Sequence, residues 1–224
     1  MEEIEKILIV GDSLGLPREG MPYERTWPYL LMLSNTEHHF VLKLQRALTS
    51  EMINSGLLSD WLEFYNPRYV ILQLGIVDCA PRYFRTRGFL IKLIGSLPQF
   101  LKARVWQLVK KYCKRSIKRA DVKTEDFEIN LRKYISRCEQ VCVERIFLIK
   151  IAKPGSSMIK KNPGILKQVE LYNSVFTRLA NVEEKCCVVD ILSEATDSYF
   201  LEDGYHLNEF GNKQLFESLK KYFL

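Results

Sequence analysis

Three side chains have the types and spacing that acyl transfer through a serine would need. Ser13 follows the aliphatic run in "ILIVGDSL" (7–14), where a buried-looking strand stops at Gly11 and Asp12. His206 stands far along the chain in the polar turn "LEDGYHLNEFG" (201–211), with Asp203 three residues before it. The chemistry needs a hydroxyl nucleophile, a base to take its proton, a carboxylate to orient the base, and donors for the developing oxyanion. A D-x-x-H turn can set the carboxylate against one ring nitrogen and leave the other facing outward, fixing tautomer and orientation together. Neither part is specific alone. A strand can leave through any serine, and a histidine in a polar turn is ordinarily a loop or cap residue. His38 and His39 adjoin a strand start and read as surface or edge residues.

The elements around these residues decide whether they can meet. "KILIV" (6–10), "FVLKL" (40–44), "YVILQLG" (69–75), "RIFLIKI" (145–151) and "CCVVDIL" (186–192) are short aliphatic runs of the kind a parallel sheet buries on both faces. Helical patterns separate them at 26–34, 49–65, 125–142, 164–181 and 209–223. Pro28 sits near the start of the first, and a Thr/Ser pair opens the second. The alternation predicts an α/β fold, a three-layer α/β/α sandwich with about five parallel strands. Sites in such sheets collect at the carboxyl ends of strands, where Ser13 falls and where the His206 turn also opens. The 224 residues suit a single domain, 1–224, interrupted by 82–124.

That interruption is chemically distinct. Between Arg82 and Lys123 stand thirteen Lys/Arg and one acid, Asp121, so the rest of a chain of net charge +6 is acidic. "GFLIKLIGSLPQFLKARVWQLVKKYCKRSIKR" (88–119) interleaves cations with aliphatic and aromatic residues, and Pro98 divides it into two helical halves. It reads as a basic amphipathic helical insertion or lid on the active-site side of the sheet. Its apolar face would either pack on the domain, meet an anionic membrane peripherally, or serve an anionic acceptor. No nucleic-acid-binding motif accompanies the charge.

The acidic start "MEEIEKILIV" runs straight into a strand without the pattern of a secretory signal. Cytoplasmic residence is the expectation, with the insertion allowing a peripheral place at the membrane. Six cysteines are then read as free thiols. Cys138 and Cys142 lie four apart, but the histidine supply is thin and no CxxC pair occurs, so neither a metal nor another cofactor is expected.

In order and spacing, "GDSL" (11–14), "QLGIVD" (73–78), "ELYNSVFTRLAN" (170–181), "VVDIL" (188–192) and "DGYHLNEFG" (203–211) together resemble the SGNH (GDSL-type) esterase and lipase family. The resemblance covers most of the chain outside 82–124 and implies the family's flavodoxin-like fold. It implies that Ser13 is the nucleophile, His206 the general base and then acid, and Asp203 the residue that orients His206. It further implies an oxyanion hole built from the Ser13 amide and a second amide after the second strand, usually a glycine's. Ala47 stands at that place, and its amide would serve provided the turn does not demand a positive φ. Gly56 is a competing assignment that falls inside a helical pattern.

One block departs from the family. Gly-x-Asn-Asp reads Gly75, Ile76, Val77, Asp78, so the asparagine amide that would be a third donor is replaced by an aliphatic side chain. Arg46 and Arg82 are the nearest candidates to substitute for it. Asp12, Gly75 and Asp78 are expected to brace the site's loops. Cys79 reads as a small buried residue, and Tyr172 and Asn173 as packing and capping residues of their own helix. The expected activity is hydrolysis or transfer of a small O-acyl ester, on a carbohydrate or lipid, through an acyl-enzyme on Ser13. The alternative is a catalytically weakened protein of the same fold that binds an acylated or anionic ligand, or a membrane-surface accessory.

Overall fold

The five aliphatic runs form five parallel strands: β1 (Lys6–Gly11), β2 (His39–Leu44), β3 (Tyr69–Gln73), β4 (Arg145–Ile149) and β5 (Cys186–Val189). They make one sheet in the order β2-β1-β3-β4-β5. The computed structural model describes residues 5–55, 60–84, 88–113, 120–190, 192 and 194–223. Gly56 and the cations Arg85, Arg87, Lys114, Arg115, Lys118 and Arg119 lie outside those residues.

Alternation along the strands sorts the core into two layers. Ile7, Ile9, Ile71, Phe147 and Ile149 face one side, packing with Trp27 and Leu31 of α1 (Trp27–Ser34) and Leu215 and Leu219 of α9 (Glu209–Lys220). Leu8, Val10, Val70, Leu72, Ile146 and Leu148 face the other, under α6 (Thr124–Gln140) and α8 (Ile165–Val182). Full burial of each such side chain contributes roughly 1.5–3 kcal/mol. The frame is therefore the three-layer α/β/α sandwich read from the sequence.

Register brings the rim together. Gly11, the last residue of β1, lies opposite Leu44 of β2 and Gln73 of β3. The segments leaving all three strands start level with one another. The order reverses direction at β1, between β2 and β3, which opens a crevice at their carboxyl ends. His39 pairs with Lys6 at the opposite end of the sheet, away from that crevice.

Two local expectations need correction. The pattern at 49–65 does not form one helix: a 3-10 turn (Met52–Asn54) and a single helical turn, α2 (Asp60–Glu63), occupy it. The reason is competition for the cap. Ser50, which would start the helix, gives both its amide and its hydroxyl to Asp78 Oδ1, at 2.8 and 2.7 Å. Asn54 is likewise held across the layer by the Asn130 carbonyl. The run 69–75 ends as a strand at Gln73, because Gly75 at φ 113° turns the chain into α3 (Ile76–Cys79).

In the insertion, Pro98 caps α5 (Gln99–Tyr112), which follows α4 (Phe89–Gly95). Ile94 and Val109 are buried, while Phe89, Leu93, Phe100 and Leu108 are exposed. A further helix, α7 (Ser156–Lys161), was not read from the sequence. Among the described residues no helix is long and apolar enough to cross a membrane.

Candidate active site

At the end of β1 the backbone is guided into a single 3-10 turn, Ser13–Gly15. The Asp12 amide donates to the Gln73 carbonyl of β3, and Asp12 Oδ1 accepts the Leu14 amide at 2.9 Å. Asp12 thus caps the turn that holds Ser13 half-buried at the rim. At the other end of the chain, Asp203 Oδ1 accepts the amides of Tyr205 and His206 at 3.1 and 3.0 Å. Gly204 permits this at φ 78°, where a Cβ would lie 2.5 Å from Ser157 Oγ and 2.8 Å from the Met158 amide nitrogen. The turn is seated on α7, with the Gly155 amide donating to the Gly204 carbonyl.

These two loops bring the three side chains together. Ser13 Oγ lies 3.1 Å from His206 Nε2, and His206 Nδ1 lies 2.6 Å from Asp203 Oδ2. The network assigns the ring proton to Nδ1, donated to the carboxylate, and leaves Nε2 to accept from the serine hydroxyl. The second expected amide sits alongside, since Ala47 lines the same cavity as Ser13. Its φ of 59° means the turn does demand the left-handed region. Alanine adopts it there at a cost of roughly 1 kcal/mol, keeping the shape a glycine would give. Among the described residues, neither the Ser13 nor the Ala47 amide donates to a protein acceptor.

Val77 also lines the cavity, 9% exposed, and offers it no hydrogen bond from its side chain. The two proposed stand-ins are placed differently. Arg46 donates through Nη2 to the Pro17 carbonyl and is absent from the lining. Arg82 does line the cavity, but its Nη2 is shared between the Val77 carbonyl and the Asp121 carboxylate, both at 3.2 Å.

Asp12, Gly75 and Asp78 follow the ends of β1 and β3. Asp78, fully buried, ties α3 to Ser50 on the neighbouring loop. Burial pushes its carboxyl up to about 6 against the opposing bonds from Ser50, and pushes that of Asp12 up to about 7. Gly75 holds φ at 113°, where a side chain is strained, and a Cβ would also press on Ile151 Cδ1 at 2.6 Å. Asn173 fixes Ile151 in turn, accepting its amide at 2.8 Å and donating to its carbonyl at 2.9 Å. Asn173 therefore braces the loop after β4 and does not cap its own helix as expected. The Tyr172 hydroxyl likewise reaches out of its helix, to the Val122 carbonyl. Cys79 is buried, with its thiol pushed well up by that burial.

Two residues near the histidine were missed in the sequence. Tyr205 packs its ring on the imidazole, with centroids 4.0 Å apart. Arg18 donates to the Ser13 carbonyl at 2.6 Å and acts electrostatically on both Asp203 and His206. Burial lowers the His206 pKa below 6.5; the Arg18 and Arg46 charges add to this, and the Asp203 hydrogen bond opposes it. Burial alone would raise Asp203, but bonds from the His206 ring and from the His206 and Tyr205 amides bring it below the ordinary value. A histidine depressed in this way stays neutral, and able to accept a proton, to lower pH. The acid limb of kcat/KM should therefore lie below pH 6.5. Arg18→Gln removes a cation that disfavours the imidazolium, so a pH profile with 4-nitrophenyl acetate should show that limb moved upward. An unmoved limb would contradict the electrostatic role of Arg18.

The cavity beside Ser13 measures about 850 Å³. α5 contributes Trp106 and Lys110 to its wall and α4 contributes Ile91, so the insertion does reach the site. Among the described residues no group of three or more His, Cys, Asp or Glu is placed to hold a metal ion.

No protein-family model matches the sequence, and no curated protein does. Solved structures do match over almost the whole chain. The acetyl xylan esterase AlAXEase aligns with a TM-score of 0.66 at 14% identity, covering 98% of this chain and 100% of its own. The acetylxylan esterase Axe2 from Geobacillus stearothermophilus aligns with a TM-score of 0.62 at 16% identity, covering 98% and 94%. A lipolytic-type protein assigned to the G-D-S-L family, from Desulfitobacterium hafniense DCB-2, gives 0.61 at 15% identity, covering 96% and 98%. With its strand order and its rim geometry already established, the chain has the fold of these G-D-S-L-type and acetylxylan esterase structures.

Proposed function

We propose that this protein is a serine esterase of the SGNH type, which removes or transfers a small acyl group through an acyl-enzyme on Ser13. One observation carries the reading: Ser13 Oγ, His206 and Asp203 stand in a continuous hydrogen-bonded chain of 3.1 and 2.6 Å beside a cavity that Ser13 and Asp203 line. In the proposed reaction His206 Nε2 takes the Ser13 proton as Oγ forms a bond to the ester carbonyl carbon. The negative charge moves to the carbonyl oxygen, where the Ser13 and Ala47 amides receive it. His206 then gives the proton to the leaving alcohol, and the acyl group stays on Oγ. Water or an acceptor hydroxyl, deprotonated by the same nitrogen, releases it. The acetylated-carbohydrate esterases among the similar structures support an acetylated sugar as the substrate class.

A second reading has its own observation in Val77: a protein of this fold that binds an acylated ligand without turning it over. The purified protein separates the two. Ser13-dependent hydrolysis of 4-nitrophenyl acetate is expected; turnover that is the same in wild type, Ser13→Ala and His206→Ala would sink the esterase reading.

A further inference from the structure

We propose that the cavity is built for an ester whose alcohol part carries a negative charge, a carboxylate or a phosphate, recognised by Arg82, Lys110 and Lys161. The inference rests on the esterase reading above and adds the class of substrate to it. The three cations come from separate stretches of chain: Arg82 follows α3, Lys110 lies in α5 and Lys161 ends α7. All three line the cavity that holds Ser13.

Solvated lysines are ordinary on a helix surface, so the balance of charge around the cavity decides the matter. The chain as a whole is nearly even, with 33 Lys/Arg against 27 Asp/Glu. Its cavity wall is not. The one acid among the lining residues is Asp203, and both of its oxygens are engaged by His206 and the turn amides. Neither Lys110 nor Lys161 has a carboxylate partner among the described residues, and both are exposed to an incoming ligand. Arg82 is the fixed member of the group. Asp121 and the Val77 carbonyl hold its Nη2, and its Nε is buried without an acceptor. The stretch 88–113, which gives Ile91, Trp106 and Lys110 to the wall, carries five cations (Lys92, Lys102, Arg104, Lys110, Lys111) and no acid. A concave, partly apolar wall with three cations against one carboxylate is net positive, which raises the local concentration of an oppositely charged substrate at the opening. A planar guanidinium and two exposed ammonium groups on one cavity wall suit the oxygens of a carboxylate or phosphate.

The test uses a matched pair, O-acetyl galacturonic acid and its methyl ester, which differ by the methyl group that removes the charge; released acetate is the readout, because the methyl ester carries a second ester bond. The acid should have the higher kcat/KM by about tenfold at low ionic strength, and the preference should shrink as salt rises. In Lys110→Glu/Lys161→Glu the ratio of acid to methyl ester should fall to one or below, and most of the change should appear in KM. A third arm presents the ester on vesicles, one set of acylated phosphatidylglycerol and one of phosphatidylcholine, since α4 and α5 also expose Phe89, Leu93, Phe100 and Leu108. Preference for the phosphatidylglycerol vesicles over the soluble acid would place the negative charge on a lipid headgroup; the reverse would place it on a glycan. Equal kcat/KM for acid and methyl ester, and equal rates on both vesicles, would overturn the inference while Ser13-dependent turnover kept the esterase reading. No turnover of any ester would overturn both.

Discussion

Ser13→Ala and His206→Ala should each lower kcat for 4-nitrophenyl acetate by about 10⁴-fold or more, the serine variant with little change in thermal stability. The loss is expected to be large because the two groups act on one proton. Without His206 the serine hydroxyl has no base within reach, and without Ser13 the histidine has nothing to deprotonate but water. The double variant should therefore be no slower than either single one, since members of a catalytic unit are strongly non-additive. Stability should hold because Ser13 is a half-buried loop residue whose hydroxyl bonds only to His206 among the described residues. Asp203→Asn should cost about 10³–10⁴-fold by a different route: the amide cannot hold the ring in the tautomer that leaves Nε2 open. It also loses the acceptor for the Tyr205 and His206 amides if the amide flips, so its melting temperature should fall as well. Additive losses in the double variant would mean that Ser13 and His206 do not share a step.

Val77→Asn is expected to raise kcat by up to about 10²–10³-fold, the usual worth of one oxyanion donor, or roughly 3–4 kcal/mol. Val77 is the second residue of α3, in the turn that Gly75 and Asp78 fix, and it faces the cavity that Ser13 and Ala47 share. An asparagine amide there would meet the same oxygen as the two backbone amides. The substitution places a polar group at a position 9% exposed, so a stability cost of about 1 kcal/mol is expected unless the cavity's water satisfies it. The gain should vanish in Val77→Asn/Ser13→Ala. An unchanged kcat in a folded Val77→Asn protein would show that two amides already serve the oxyanion, or that another step limits the rate.

The frame of the molecule was legible because it rests on burial. Aliphatic runs of five to seven residues between helical patterns have few ways to be covered, and the strands begin and end within a residue or two of those runs, apart from the end of β5. The errors came where a side chain from a distant segment overrode a local preference. Ser50 carries a good cap signal, yet Asp78 takes its amide and hydroxyl, and no helix grows from it. Asn173 sits in a strong helical pattern, yet its amide group serves Ile151.

The site shows the same division. Ser13, Asp203 and His206 could be read as parts because each lies at an element boundary with its own local signal. Ala47 could be placed by position, but its positive φ has no signature in an alanine. Arg18 and Lys161 could not be read at all. Arg18 reaches the Ser13 carbonyl from a loop position five residues on, where its backbone is bridged to Met21, and Lys161 arrives on α7, a helix too short for any periodicity to announce.

The central claim is that Ser13 is an activated nucleophile, and a fluorophosphonate probe tests it without knowledge of the substrate. Attack by Ser13 Oγ on phosphorus would form an O–P bond and expel fluoride. Peptide mass spectrometry should find one adduct, on Ser13, absent from Ser13→Ala and greatly slowed in His206→Ala. Labelling that persists undiminished in Ser13→Ala, or no labelling of the folded wild-type protein, would contradict the account.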